Sequence, residues 1–173
     1  MFEGDFQEGA EQSTTLAEID GVASVRSLEM LVQWICLGRI VIGATSPAEG
    51  IALSMEFARL ADMCNITGVE SLMAEHINGI IVADAALHLD GYNRDPNANT
   101  FAITTQHIQW ATLLPSGHPV RGVLAMAIVE GFFLVDDYRF RKETREIPGF
   151  AADVLAAVAN TIPNSGNLSV GRR

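Results

Sequence analysis

Apolar residues recur along this chain at steps of three and four, and residues that start and stop helices separate the segments carrying them. That pairing of signals restricts the fold more than any composition figure. Ser46-Pro47-Ala48-Glu49 is the clearest start. Serine caps, proline occupies the first turn where an N–H has no partner anyway, and Glu49 falls where a capping-box acid belongs. Behind it Ile51, Met55, Leu60 and Met63, with Phe57 beside them, are expected to face inward, and Asn65 to end the helix. Upstream, Val22, Val25, Leu28, Met30, Leu31, Trp34 and Ile35 trace one broad apolar face, with Asp20 or Gly21 as cap and Gly38 as stop. Thr67 and Glu70 form another capping-box pattern, on a helix whose apolar residues are Val69, Leu72, Met73, Ile77, Ile80 and Ile81.

The second half reads the same way. Residues 90–103, DGYNRDPNANTFAI, are dense in turn formers and read as a linker. Thr104 or Thr105 caps a short helix reaching Leu113, which Pro115-Ser116-Gly117 stops. Pro119 opens a long helix to about Val135, apolar around most of its circumference and therefore expected to be the most buried of this half. Residues 136–147 are dense in charge and read as a solvated segment. A last helix is expected to bury Phe150, Val154, Leu155, Val158 and Ile162, followed by a flexible tail, 163–173. Strand signals are brief, at residues 14–19 and at Ile40-Val41-Ile42. The fold class is thus mainly α (α+β), with roughly six helices and one or two short strands.

Composition narrows the function. A hydrophobic content of 49% excludes disorder throughout. Eleven basic residues against 21 acidic ones give a net charge of −10, which repels phosphate backbones and anionic bilayers. No nucleic acid and no membrane are therefore expected as partners. The first residues lack the basic start and apolar run of a signal peptide, and no run of about 18 uncharged apolar residues occurs. The chain reads as intracellular, cytoplasmic or nuclear. Cys36 and Cys64 are too few for a disulfide framework and lie in apolar stretches, as small core residues do.

The search for chemistry returns little. His76, Asp84 and His88 share a helix face, with Asp84 and His88 one turn apart, but no third metal ligand joins them, and hydrogen-bonded histidines are the expectation. His107 and His118 flank a short helix in a loop-rich region and read as surface residues. Trp34 and Trp110, at helical spacing, read as core. No Gly-x-Ser-x-Gly elbow, phosphate loop or GxGxxG motif occurs. The residues predict a non-enzymatic chain without cofactor or metal.

Taken in order, several segments resemble a known family. Phe6-Gln7-Glu8-Gly9, the strand signal around Leu16, the helix ending LVQWICLGRI and the helix EFARLADMCNITGVESLMAEHI resemble the later half of a BTB/POZ domain of the fungal type. Trp34 leads into the corner Ile35-Cys36-Leu37-Gly38, and Ala61-Asp62 match the family's Ala-Asp pair. Further on, Ile103-Thr104 with Ile108, the run Leu114 to Arg121, and Pro148-Gly149-Phe150-Ala151 with Asp153 and Leu155 resemble the C-terminal helical extension of such proteins. The resemblance covers about residues 2–162. It implies a BTB/POZ-like cluster over 1–89, the linker 90–103 and the extension 104–162.

Two departures accompany it. Cys36-Leu37 stand where the family has tyrosine and threonine. The family's opening β-hairpin, dimerisation helix and third strand have no counterpart ahead of Phe6, which implies an incomplete reading frame or truncated paralogue. That reading leaves an apolar flank uncovered around Val25–Trp34 and Ile51–Met63, and self-association or poor solubility follows. For function the resemblance implies an interaction module with protein partners, an adaptor to a cullin-type ubiquitin ligase scaffold, and a homo-oligomer. Phe6 and Glu8 match by position the family's scaffold-binding segment, an aromatic anchor with a rim carboxylate. The alternatives are the ligand-binding domain of a helical transcriptional regulator, suggested by the helix at 119–135, and a metal-dependent helical enzyme using His76, Asp84 and His88.

Overall fold

The computed structural model describes residues 23–88 and 95–162. The order is α1 (Val25–Leu37), α2 (Pro47–Met63), α3 (Glu70–Leu87), a 3₁₀ turn (Ala98–Thr100), α4 (Thr105–Ala111), α5 (Pro119–Leu134), α6 (Arg141–Glu146) and α7 (Pro148–Thr161). The chain is mainly α. Among the described residues no strand forms, and β character is confined to an isolated bridge at Ala23. Ile40-Val41-Ile42 is not the expected strand. Val41 is exposed, and its N–H donates to Gln33 Oε1 at 2.9 Å rather than to a ladder. Among the described residues these three have no strand to pair with, and the Val41 backbone turns to a side chain instead. The other strand signal, 14–19, lies outside the described residues.

Local cap chemistry sets most boundaries. Gly38 ends α1 in the left-handed region at φ +62°, its N–H donating to Trp34 O at 2.9 Å. The start of α1 is Ser24, not Asp20 or Gly21. Ser24 Oγ accepts the Ser27 N–H at 3.2 Å, and Ser27 Oγ accepts the Ser24 N–H at 2.8 Å. Ser46 caps α2 as expected, accepting the Glu49 N–H at 3.2 Å. The Glu49 carboxylate, however, reaches past the cap to the N–H and hydroxyl of Thr45. Thr67 does not cap α3. Gly68 turns the chain at φ +87°, its N–H donates to Glu70 Oε2 at 2.8 Å, and fully buried Val69 fixes the helix start by packing.

The long helices pack in a row, each on the next: α1 on α2, α2 on α3, α3 on α5, α5 on α7, with α6 beside α7. The 3₁₀ turn fills in against α3 and α5, and α4 against α2 and α5. One apolar cluster runs through the row, from Met30 through Met55, Phe57 and Ile77 to Leu124, Ile128, Phe150 and Val154. It also takes Ala102 and Ile103 from the segment read as linker. As expected, α5 is deeply buried, with Val120, Leu124, Ala125 and Ile128 at the centre. The charged run at 136–147 is only partly solvated: α6 buries nothing, but Phe140 just before it is in the core.

Several inward assignments fail. Met63, Leu155 and Ile162 are exposed. Met63 sits on the last position of α2. On α7 the covered stripe is Phe150, Val154 and Ala157, narrow because α7 rests on α5 alone along its length, with α6 at its start. Cys36 and Cys64 are exposed, not core residues. His107 and His118 are buried, not surface residues.

Candidate functional site

Helix α1 stands at one end of the row and is apolar on two faces. Ser27, Met30 and the half-buried Leu31 and Trp34 face the core. On the opposite side Val25, Val32 and Ile35, at steps of seven and three, fall on one stripe. These three, with Leu37 and Val41 just beyond, are 57–68% exposed. Exposed Cys36 lies on the same side. Soluble monomers rarely leave contiguous apolar patches beyond a few hundred Å² open to water. Of the two stretches expected to be uncovered, Val25–Trp34 leaves Val25 and Val32 in water but buries Met30, and Ile51–Met63 is covered except at its end: Ile51, Met55 and Phe57 are fully buried and Met63 is exposed.

Polar ties hold this helix in place. Ser24 Oγ donates to Glu56 Oε2 at 2.6 Å. Arg26 Nη1 donates to Glu49 and, at 3.4 Å, to the Gly43 carbonyl. Hydrogen bonds from the Thr45 hydroxyl and N–H, with Arg26 adding its charge, hold the Glu49 carboxyl down at about 2. Both ties link the N-terminal turn of α1 to α2, so the outer stripe rides on an anchored helix.

A largely buried polar cluster joins the loop before α5, α5 itself and α7. The Arg121 guanidinium donates to Asp153 Oδ2 at 2.9 Å, to Leu114 O at 2.9 Å and to Gly149 O at 3.2 Å. Each of the three guanidinium nitrogens donates once, and the cluster staples the start of α7 to the loop before α5. His118 caps α5, its Nδ1 accepting the Val120 N–H at 3.2 Å. The neutral ring therefore carries its proton on Nε2, which is buried without a partner among the described residues. Burial lowers the His118 pKa; Glu70 and Asp62 oppose the shift and Arg121 reinforces it. His107 completes a capping box on α4, its Nδ1 accepting the Thr104 N–H at 3.2 Å, and burial holds its pKa down at about 4. Thr104 three residues before His107, and His118 directly before Pro119, were readable as cap positions. Both histidines serve the helices they start.

Ser54 and His76 meet at 2.9 Å but are not a nucleophile and its base. Ser54 is fully buried, and its only hydroxyl hydrogen is on Gly50 O at 2.7 Å. His76 Nδ1 must then be the donor, which is the reverse of nucleophile activation. Of the metal trio considered from sequence, His76 is held by Ser54, and His88 packs edge-on against Phe101 with ring centroids 4.7 Å apart. Among the described residues no three His, Cys, Asp or Glu side chains gather to hold a metal ion. Trp34 and Trp110 pack against the core. Phe6 and Glu8 lie outside the described residues.

No family model, no curated protein and no solved structure matches this chain. Among the described residues no helix is long and apolar enough to cross a membrane.

Proposed function

We propose that this chain is a non-enzymatic protein–protein interaction module of BTB/POZ type, working inside the cell as an adaptor to a cullin-type ubiquitin ligase. The observation that carries the interaction reading is the outer stripe of α1, a row of aliphatic side chains left in water on a helix tied at its N-terminal turn to α2. Fully burying one valine, leucine or isoleucine side chain is worth about 1.5–3 kcal/mol. Several such residues, each more than half exposed, are ample for association. The α1 stripe takes a second copy of the chain. The order and spacing of the BTB-like segments support the scaffold assignment, in which Phe6 enters a pocket and Glu8 sets register.

Light scattering on a sizing column, with the chain alone and then with a cullin amino-terminal region, tests both parts. The expected result is a dimer that Val32→Asp with Ile35→Asp converts to a monomer, and a mass increase on mixing that Phe6→Ala abolishes. A wild-type monomer at high concentration would refute the α1 assignment. Absence of a complex, or an equal complex with Phe6→Ala, would refute the scaffold assignment.

A further inference from the structure

At the opposite end of the row, α5 finishes in Phe132-Phe133-Leu134 and the chain turns into α6. Phe132 meets Tyr138 and Phe133 edge-on, at centroid distances of 5.4 and 5.8 Å. Between this aromatic corner and α6 lies an open depression of about 530 Å³, with Phe133 and Leu134 more than half exposed at its edge. Arg141 and Arg145, one helical turn apart, line it, and they also line an adjoining depression of about 360 Å³ shared with Lys142, Asp137 and Glu146.

The corner is firmly built. Arg139 donates its N–H to Asn97 Oδ1 and its guanidinium to the carbonyls of Phe101 and Ile103. Buried Phe140 takes the left-handed conformation at φ +70°, a costly geometry that the surrounding packing holds. Glu143 accepts from Thr105 Oγ1 at 2.8 Å and is turned toward α4.

The charges on this wall are only loosely matched within the protein, by long, exposed ion pairs. The nearest acid to Arg141 is Asp137, at 3.8 Å and with its side chain almost fully exposed. Arg145 makes no hydrogen bond or ion pair among the described residues. In the larger depression two arginines face one acid, Asp136, and with Lys142 engaged by Glu146 at 3.9 Å the cation left unmatched there is Arg145. Like charges one turn apart on a helix repel each other unless an anion sits between them.

We propose that this corner binds a short acidic peptide carrying an aromatic side chain. Carboxylates engage the guanidinium forks of Arg141 and Arg145, and the aromatic ring packs on Phe132, Phe133 and Tyr138. The larger depression is within the size range of small-ligand sites and holds a few residues, not a domain. This surface is separate from the α1 stripe and does not depend on the function proposed above.

The test is fluorescence anisotropy on the full chain with a fluorescein-labelled Glu-Phe-Asp-Glu-Phe-Asp peptide. Saturable binding is expected. Arg141→Gln with Arg145→Gln should weaken it about tenfold or more, and Phe133→Ser should weaken it severalfold. Both arginines lie on a helix without buried residues, and an unchanged thermal midpoint will show that the variant folds. No saturation up to about 1 mM peptide, or equal binding by the double variant, would overturn the proposal. Tighter binding of a peptide with phosphoserine in place of phenylalanine would overturn it in favour of a phosphate site.

Discussion

Acidification should destabilise this protein well before its carboxylates titrate, and His107 should carry a measurable share of the loss. His107 is 3% exposed, and its Nδ1 accepts the N–H of Thr104. Protonation would put two donors face to face and place a charge in the core. Its pKa falls from 6.5 to about 4 on folding. A histidine depressed in this way leaves the unfolded chain holding more protons, so its stabilising effect is complete above the unfolded value and fades as pH drops through 6.5 toward 4. At about pH 5 the unfolded chain carries nearly a full proton that the folded one lacks, and integration gives a loss of about 2 kcal/mol. His118, also lowered by burial, adds loss of the same sign. Glu49, held down at about 2, titrates below this window. His107→Gln removes the titration and keeps a side chain suited to the third position of a capping box. Urea unfolding at about pH 7.5, 6 and 5 should show wild type losing about 2 kcal/mol more than the variant across the series. The comparison is between slopes, so a lower baseline in the variant does not matter. Parallel slopes would refute the assignment of this proton to His107.

Other expectations follow from single contacts. Arg121→Met strands the largely covered Asp153 carboxylate and two carbonyls, and should cost about 2–4 kcal/mol in denaturant unfolding. A loss below about 1 kcal/mol would mean that Asp153 finds water and the cluster is not closed. Gly79→Ala, in an exposed helix interior with nothing within 4 Å of the new Cβ, should stabilise by up to about 1 kcal/mol. Gly131→Ala should do the opposite despite the same helix propensity. Its Cβ would come to 2.8 Å from Asn97 Oδ1, and that oxygen is held by the Arg139 N–H. Thermal midpoints moving in opposite directions for the two alanines would confirm the contrast.

What the residues announced and what they withheld divide along one physical line. Cap and stop signals act over three or four residues, and Ser46, Gly38, Thr104 and Pro119 all work where the spacing put them. Burial depends on which neighbouring helix arrives and at what phase, and no local rule reports that. Leu155 lies on the same amphipathic stretch as Val154, yet α5 covers only the stripe through Phe150, Val154 and Ala157. The histidines were misplaced for a related reason. His107 and His118 sit in turn-rich sequence, which reads as surface, while the helices they cap are driven into the core by Ile108, Val120 and Leu124 and carry their caps inward.

The same logic explains why the candidate surface was only half legible. Along α1 the aliphatic residues occupy both the stripe through Met30 and Trp34 and the stripe through Val25, Val32 and Ile35. A helix so patterned is satisfied only between two neighbours, and periodicity does not say which neighbour belongs to the same chain. The fold supplies one of them: α2 meets the Met30 side and is fastened there through Ser24–Glu56 and Arg26–Glu49. Burial of Ser27 and Met30 against the core sets the rotation of α1 about its axis, and the two ties at its N-terminal turn agree with it. Once that rotation is set, the second stripe has no freedom to turn inward. Its exposure is thus a consequence of well-made contacts on the other side, which leave Val25, Val32 and Ile35 open to water.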